Sequence, residues 1–185
     1  MKDHQLAEKG DACAQYRLAL AYHDKQDVEQ AEQWYRLAAE QGHGDAQYNL
    51  ATLYEQGDGI TLDLSQAAFW YGKSAEQGDP AAQYNLGLMF AQGRGVSRDF
   101  IKAKFWFQKA AVQGAADAQF NLGLMYQNGH GVARDVAQAA SWYRKAADQG
   151  YAPAMTKLGL MYVDGEGVSP DAAQATKWFL KAAGE

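Results

Sequence analysis

Apolar positions along the chain recur with the period of an α-helix. Ala46, Leu50, Leu53 and Tyr54 follow the spacing i, i+4, i+7 and i+8, which places all four side chains on one helix face. After a short break that contains glycine, residues 64–74 show a similar spacing of apolar and small side chains. The pattern therefore predicts two consecutive helices joined by a turn.

This helix pair is repeated along the chain. Five tryptophans keep a step of 36 residues: Trp34, Trp70, Trp106, Trp142 and Trp178. A fixed step of this length indicates a tandem array, in which stacked units bury a continuous core. We predict an all-α fold, an α/α solenoid of five antiparallel helix pairs, with about ten helices in a single domain, 1–185. The predicted repeats are 6–42, 43–78, 79–114, 115–150 and 151–185.

Glycine and aspartate mark the predicted helix ends. Each Gly-x-Gly break is expected to end a first helix, because glycine readily adopts the left-handed conformation found there. An aspartate follows each break and is expected to cap the second helix; these residues are Asp63, Asp99, Asp135 and Asp171. The first repeat has Asp24-Lys25-Gln26-Asp27 instead of the break, which predicts a tighter turn.

Small and aromatic residues outline the predicted core. Gly87, Gly123 and Gly159 lie in the middle of first helices, where a residue without bulk lets a neighbouring helix approach closely. The five tryptophans are expected in the core, together with the aromatic residues that follow them, Tyr35, Tyr71, Phe107, Tyr143 and Phe179. Cys13 is expected to be buried or half-buried.

Charge and composition limit the classes of partner. The formal net charge is −5 and no basic face stands out, so nucleic acid and anionic membrane surfaces are poor partners. No stretch approaches the roughly 18 apolar residues of a membrane span, and the first residues lack a secretory signal. We expect no membrane insertion and a cytoplasmic protein, or a periplasmic or secreted one if a signal has been removed. The four scattered histidines predict neither a metal site nor a cofactor.

Residues 82–111 carry the clearest motif, Ala-Gln-Tyr-Asn-Leu-Gly-Leu-Met-Phe, then Gly-x-Gly-Val, Asp, Ala, Trp-Phe and Lys-Ala-Ala. This pattern resembles the Sel-1-like repeat (SLR), a relative of the tetratricopeptide repeat, and the resemblance extends over nearly the whole chain. It implies a right-handed superhelix whose first helices line a concave groove. It also implies an adaptor that holds other proteins in complexes, as many bacterial members do.

A second set of side chains follows the first helices, one helical step away from the core face. We call this set the first-helix stripe and expect it to bind a protein or peptide in the groove. Its members are Arg17, Tyr48, Asn49, Thr52, Tyr84, Asn85, Leu88, Phe120, Asn121, Leu124 and Gln127. Asparagine is a poor helix former, so its recurrence needs a reason. Two interpretations stay open: a repeated structural hydrogen bond, or a ladder that contacts the backbone of a bound peptide.

These features, together with the resemblance, suggest three functions. The first is a non-catalytic interaction scaffold, and the second is an immunity or inhibitor protein that neutralises a bacterial toxin. The third is a hydrolase of β-lactams or cell wall, which the chain supports least because it lacks the paired cysteines of such relatives and offers no nucleophile beside a base. The face around Thr176, Phe179 and Leu180 is expected to favour end-to-end contact or homodimers. The outer basic residues are expected to be merely solvated: Lys73, Lys104, Lys109, Arg144, Lys145 and Lys181.

Overall fold

The computed structural model describes residues 2–57 and 59–184, and every regular element in these ranges is an α-helix. Met1 and Glu185, which bound the predicted domain, lie outside the described residues, as does Asp58. The eleven helices are α1 (Lys2–Glu8), α2 (Ala12–Asp24), α3 (Val28–Glu40), α4 (Gly44–Gln56), α5 (Leu64–Glu76), α6 (Pro80–Gln92), α7 (Phe100–Val112), α8 (Ala116–Asn128), α9 (Val136–Asp148), α10 (Ala152–Asp164) and α11 (Ala172–Ala183).

The helix α1 is the one element that the repeat pattern did not predict. Its end, Ala7-Glu8-Lys9-Gly10, corresponds to Ala39-Glu40-Gln41-Gly42 at the end of α3. The carbonyl oxygen of Ala7 accepts a hydrogen bond from the side chain of Gln15 at 3.1 Å, as the carbonyl of Ala39 does from Gln47 at 3.0 Å. The helix α1 therefore takes the place of a second helix in front of the first complete pair.

The helices form two compact units, Met1–Arg98 with α1 to α6 and Asp99–Glu185 with α7 to α11. Within each unit every helix packs against the next one along the chain. The largest fully buried side chains of the first unit include Tyr35 and Tyr71, and those of the second include Phe107 and Tyr143. Alanines fill the space around these rings, which gives close packing between helices.

The helix ends agree with the sequence. Each predicted aspartate precedes a second helix, and its carboxylate accepts a hydrogen bond from a backbone N–H of the first turn at 2.9–3.0 Å. The Gly-x-Gly breaks end α4, α6, α8 and α10 as predicted. In the first repeat only three residues separate α2 from α3, and Gln26 adopts a φ of 62° there. The prediction of a tighter turn is confirmed.

Gly123 shows why a small residue lies in the middle of a first helix. A β-carbon at this position would lie 2.4 Å from Cε1 of Tyr143, far inside van der Waals contact. Gly159 stands in the same relation to Phe179, with a closest distance of 2.6 Å. The aromatic ring of the second helix thus occupies the space that the first helix leaves open, and the predicted close approach is confirmed for these two repeats.

Several predictions about burial were wrong. Trp34, Trp106 and Trp142 are only half-buried, and the Nζ atom of Lys145 lies 4.0 Å above the ring of Trp142. Phe179 covers Gly159 but keeps 36% of its surface exposed. Cys13 is exposed because the buried face of α2 is formed by other residues: Ala14, Gln15 and Ala19.

Within the described ranges, no helix combines the length and apolarity that crossing a membrane requires.

Candidate functional site

The first-helix stripe lies on α2, α4 and α6 in the first unit and on α8 in the second. Arg17 on α2 is exposed, and the other ten members are half-buried. The guanidinium of Arg17 forms an ion pair with Asp3 at 2.8 Å, so its charge is already balanced within the chain. The rest of the stripe borders the core without being sealed in it.

Asn49 belongs to a hydrogen-bonded cluster in the first unit. Its side-chain Nδ2 lies 3.4 Å from the hydroxyl oxygens of Tyr16 and Tyr35, to which it donates. The ring of Tyr16 stacks on His43 with 4.5 Å between centroids, and Nδ1 of His23 lies 3.4 Å from the hydroxyl of Tyr35. Burial raises the pKa of Tyr35 to about 12, so its hydroxyl stays protonated into the alkaline range. These contacts fit the structural interpretation for Asn49.

The next repeat joins its stripe residues to Tyr71 on α5. The hydroxyl of Tyr71 donates a hydrogen bond to Oε2 of Glu55 at 2.8 Å and lies 3.2 Å from Oγ1 of Thr52. Its ring meets the ring of Tyr48 edge-on, with 5.6 Å between centroids. The other oxygen of Glu55 accepts a hydrogen bond from Arg94 at 3.0 Å. Burial raises the pKa of Tyr71, and the Glu55 carboxylate raises it further.

Asn85 on α6 differs from Asn49. Its side chain is half-buried, yet its amide forms no hydrogen bond within the described part of the chain. Tyr84 and Leu88, on the same helix, are half-buried beside it. An amide carries two donor hydrogens and an acceptor oxygen, so Asn85 keeps its full capacity to bind another molecule.

In the second unit the stripe packs against α9 and the segment that precedes α10. The ring of Phe120 lies 5.5 Å from Tyr143 and 5.4 Å from Tyr151, centroid to centroid. The side-chain Nδ2 of Asn121 donates to the backbone carbonyl of Asp117 at 2.9 Å. Oε1 of Gln127 accepts a hydrogen bond from the hydroxyl of Tyr143 at 2.8 Å. Leu124 also packs against the buried cluster of this unit.

The three asparagines differ in their hydrogen bonds. Asn49 and Asn121 make hydrogen bonds within the chain, which fits a structural role. Asn85 makes none with the described residues, which leaves the binding interpretation for this position. The tyrosines that hold Asn49 were known from the sequence, but nothing in the helical period showed that their hydroxyl groups face this asparagine.

A ladder of buried glutamines also escaped the sequence reasoning. Gln15, Gln47, Gln83 and Gln119 each donate from Nε2 to a backbone carbonyl eight residues earlier, at 3.0–3.1 Å. The Oε1 atoms of Gln15, Gln47 and Gln119 accept hydrogen bonds from Gln41, Gln77 and Gln149, respectively, at 2.7–2.8 Å. The signal was the recurrence of glutamine directly before each aromatic residue of the stripe. In the fifth repeat Met155 takes this position.

Groups suited to metal binding do not cluster in the described residues. No set of three His, Cys, Asp or Glu side chains lies close enough to hold a metal ion.

Comparison with known proteins identifies the repeat. The family model described as "Sel1 repeat" matches residues 14–43, 44–79, 80–114, 116–151 and 152–184. The chain belongs to the Sel1 repeat family. Sel1 repeats are related to tetratricopeptide repeats, form helical solenoids and generally mediate protein interactions. No curated protein matches the chain.

Solved structures of Sel1 repeat proteins resemble this one along nearly its full length. A protective antigen of uropathogenic Escherichia coli with an SLR fold is 41% identical, with a TM-score of 0.94, and the match covers 99% of this chain and 40% of the antigen. A Sel1 repeat protein from Oxalobacter formigenes is 33% identical, with a TM-score of 0.91 and coverage of 95% and 74%. An immunity protein from Pseudomonas aeruginosa is 28% identical, with a TM-score of 0.55 and coverage of 92% and 64%. These matches confirm the predicted solenoid fold.

Proposed function

We propose that this Sel1 repeat chain is a non-catalytic adaptor that binds a protein or an extended peptide on the first-helix stripe. The observation that carries the proposal is the half-buried residue Asn85, whose amide has no hydrogen-bond partner among the described residues. Such an amide can pair with a group that supplies both a donor and an acceptor, and a peptide backbone supplies both. The family supports the proposal, because Sel1 repeats generally mediate protein interactions.

The surroundings of Asn85 define the kind of ligand. Tyr84 and Leu88 on α6, and Tyr48 on α4, add half-buried rings and an aliphatic side chain to the same unit. Aromatic side chains with few rotamers are common anchors of protein interfaces. A segment of mixed character, with apolar side chains and an accessible backbone, fits this lining better than a wholly apolar helix does.

A pair of substitutions tests the proposal. Tyr84→Ala with Asn85→Ala removes one ring and one amide from the stripe, whereas Phe69→Ala with Gln66→Ala removes one ring and one amide from the outer side of α5. Peptides are first selected from a display library on the immobilised wild-type chain, and their affinities are then measured for both variants. We expect the stripe pair to weaken binding at least about tenfold and the outer pair to leave it within about twofold.

Folding is checked in the same samples by circular dichroism and thermal melting. Unchanged affinity for the stripe pair, in a folded protein, would contradict the proposal. Equal losses for both pairs would contradict it as well, because the selected peptides would then not depend on the stripe.

The second candidate is an immunity protein that blocks a bacterial effector. The likeness to the Pseudomonas aeruginosa immunity protein favours it, and the net charge of −5 suits a basic effector. Co-expression with a secreted effector encoded beside its gene should protect bacterial growth and yield a co-purifying complex. Growth arrest despite soluble expression of both proteins would count against this candidate.

The proposal also includes the absence of catalysis by this chain. Cleavage of a chromogenic β-lactam or of cell-wall fragments by the purified protein, above the level of a heat-treated sample, would contradict it. We expect no such turnover.

A further inference from the structure

Helix α7 exposes an apolar face that the proposed function does not use. Ile101, Phe105 and Val112 are exposed by 73%, 52% and 77%. Their spacing, i, i+4 and i+11, places them on one side of the helix. Ala103 and Phe107 are buried on the opposite side, so the three exposed side chains point away from the core of their unit.

Lysines border this apolar face. Residues 100–112 carry Lys102, Lys104 and Lys109 and no carboxylate, in a chain whose net charge is −5. Nζ of Lys109 lies 4.8 Å from the ring centroid of Phe105, and Nζ of Lys102 lies 3.7 Å from the carboxylate of Asp99. The outer side of α7 is therefore both apolar and basic, which the expectation of a merely solvated outer surface missed.

The other second helices do not share this combination. The positions of Ile101, Phe105 and Val112 are occupied by Glu29, Gln33 and Glu40 in α3, by Ser65, Phe69 and Glu76 in α5, by Ala137, Ser141 and Asp148 in α9, and by Ala173 and Lys177 in α11. Among these helices only α7 is apolar at all three positions. The repeat itself does not require apolar side chains there, so a separate role is needed to explain them.

We propose that the outer face of α7 binds an acidic amphipathic helix of a protein partner. The apolar side of the partner helix would cover Ile101, Phe105 and Val112, and the carboxylates of that helix would face the flanking lysines. Opposite charges across the rim of an apolar contact favour the correct partner and speed its association. An amphipathic helix that lays its apolar side on such a surface is a common mode of protein recognition.

Other occupants fit the face less well. If helix α7 of a second copy lay on this face, the lysines of the two helices would repel each other around Lys109. Helix α3 of a second copy carries more carboxylates than basic groups, but Leu37 is its one exposed large apolar side chain and could not cover three apolar residues. An anionic membrane would attract the lysines but repel the remainder of an acidic chain.

Synthetic peptides test the proposal on the full chain. A labelled peptide of about 18 residues, roughly five helical turns, carries leucines at helical spacing and glutamates elsewhere. A second peptide has lysine in place of every glutamate. Fluorescence anisotropy should show the leucine–glutamate peptide binding at least about tenfold more tightly than the leucine–lysine peptide.

The chain offers a matched control for Phe105. Phe69 on α5 is also exposed by 52%, and each phenylalanine meets the following tryptophan edge-on at 4.9 Å. We expect Phe105→Ser to weaken binding of the leucine–glutamate peptide about tenfold and Phe69→Ser to change it less than about twofold. Lys102→Glu with Lys109→Glu should reverse the preference between the two peptides.

Four results would overturn the proposal. They are failure of the leucine–glutamate peptide to bind, equal binding of both peptides, equal loss in Phe105→Ser and Phe69→Ser, and stronger binding to vesicles of anionic phospholipid than to the peptide. Light scattering provides a fifth such result. If the wild-type chain self-associates and Glu40→Lys on α3 abolishes this association, the face of α7 binds helix α3 of a second copy.

Discussion

The hydroxyl group of Tyr143 on α9 donates a hydrogen bond to Oε1 of Gln127 on α8 at 2.8 Å. Tyr71 is bonded to Glu55 in the same way, at 2.8 Å. Where the sequence has a phenylalanine at the tyrosine position, the partner position is apolar; the five pairs are Tyr35 with His23, Tyr71 with Glu55, Phe107 with Ala91, Tyr143 with Gln127, and Phe179 with Val163. The two positions change together, so the polar residues near the ends of α2, α4 and α8 serve the core as well as the surface.

The first prediction concerns this pair. Tyr143→Phe should lower the free energy of unfolding by about 1 kcal/mol, because Gln127 loses its hydrogen-bond partner. Adding Gln127→Val recreates the pair Phe179 and Val163 of the fifth repeat. The double variant should lose less free energy of unfolding than the two single variants lose together. Urea denaturation of the wild type, Tyr143→Phe, Gln127→Val and the double variant measures this coupling. Strict additivity would show that the hydrogen bond contributes nothing to stability.

The second prediction compares two glycines inside helices. Gly123→Ala should destabilise the protein by about 1–3 kcal/mol, because the new methyl group would collide with the ring of Tyr143. The contact distance of 2.4 Å is too short to relax without moving that ring. Gly72→Ala meets only Leu86 Cδ2 at 4.0 Å and should stabilise the protein by up to about 1 kcal/mol through helix propensity. Melting curves that shift in the same direction for both variants would contradict this account.

The third prediction tests the glutamine ladder. Gln47→Met introduces the residue type found at Met155, but it removes the hydrogen bonds to Ala39 and Gln77. We expect a loss of about 1–3 kcal/mol, since two hydrogen bonds of a buried side chain disappear, although the Ala39 carbonyl still accepts from the N–H of Gly42. Gln56→Met on the same helix α4 is exposed and should change the free energy of unfolding by less than about 0.5 kcal/mol. Comparable losses at both positions would show that the buried glutamine contributes no more to stability than an exposed one.

The fourth prediction concerns alkaline pH. Burial raises the pKa of Tyr35 to about 12, and burial with the hydrogen bond to Glu32 raises the pKa of Tyr54 to about 12. In the unfolded chain both pKa values are about 10. The folded state therefore favours the protonated hydroxyls; their contribution to stability is complete below about pH 10 and is lost as the pH rises towards about 12.

The measurement is the free energy of unfolding at a series of alkaline pH values, with phenolate absorbance recorded in parallel. Tyr54→Phe should show a weaker loss over the same range, because one of the raised groups is gone. Phenolate formation by Tyr35 and Tyr54 near the unfolded value of about 10 in the folded protein would contradict the burial argument.

Local signals made the architecture predictable. The cap formed by Asp135 and the break that begins at Gly129 act on the nearest turn of the chain, so a single sequence specifies them. The extra helix α1 was missed because only its final turn matches the repeat. Its signal was Gly10, which lies 32 residues before Gly42, the same interval that separates Gln15 from Gln47 in the shortened first repeat.

Side-chain partners across helices were harder to predict. Helical spacing placed Asn49, Asn85 and Asn121 at equivalent positions. It could not show that Asn49 donates to tyrosines and Asn121 to its own helix, whereas Asn85 bonds to no described residue. The difference depends on the orientation of individual rings and amides. The exposure of Phe105 was missed for a related reason, since the repeat pattern does not constrain the outer side of α7.

Photo-crosslinking tests the binding role of the first-helix stripe most directly. A photoreactive phenylalanine analogue replaces Tyr84 in one protein and Phe69 in another, and each is irradiated with a peptide selected on the wild-type chain. The account predicts a crosslinked product from position 84 that excess unlabelled peptide suppresses, and none from position 69. A product from position 69 alone would place the peptide on the outer side of the helices and contradict the proposed role of the stripe.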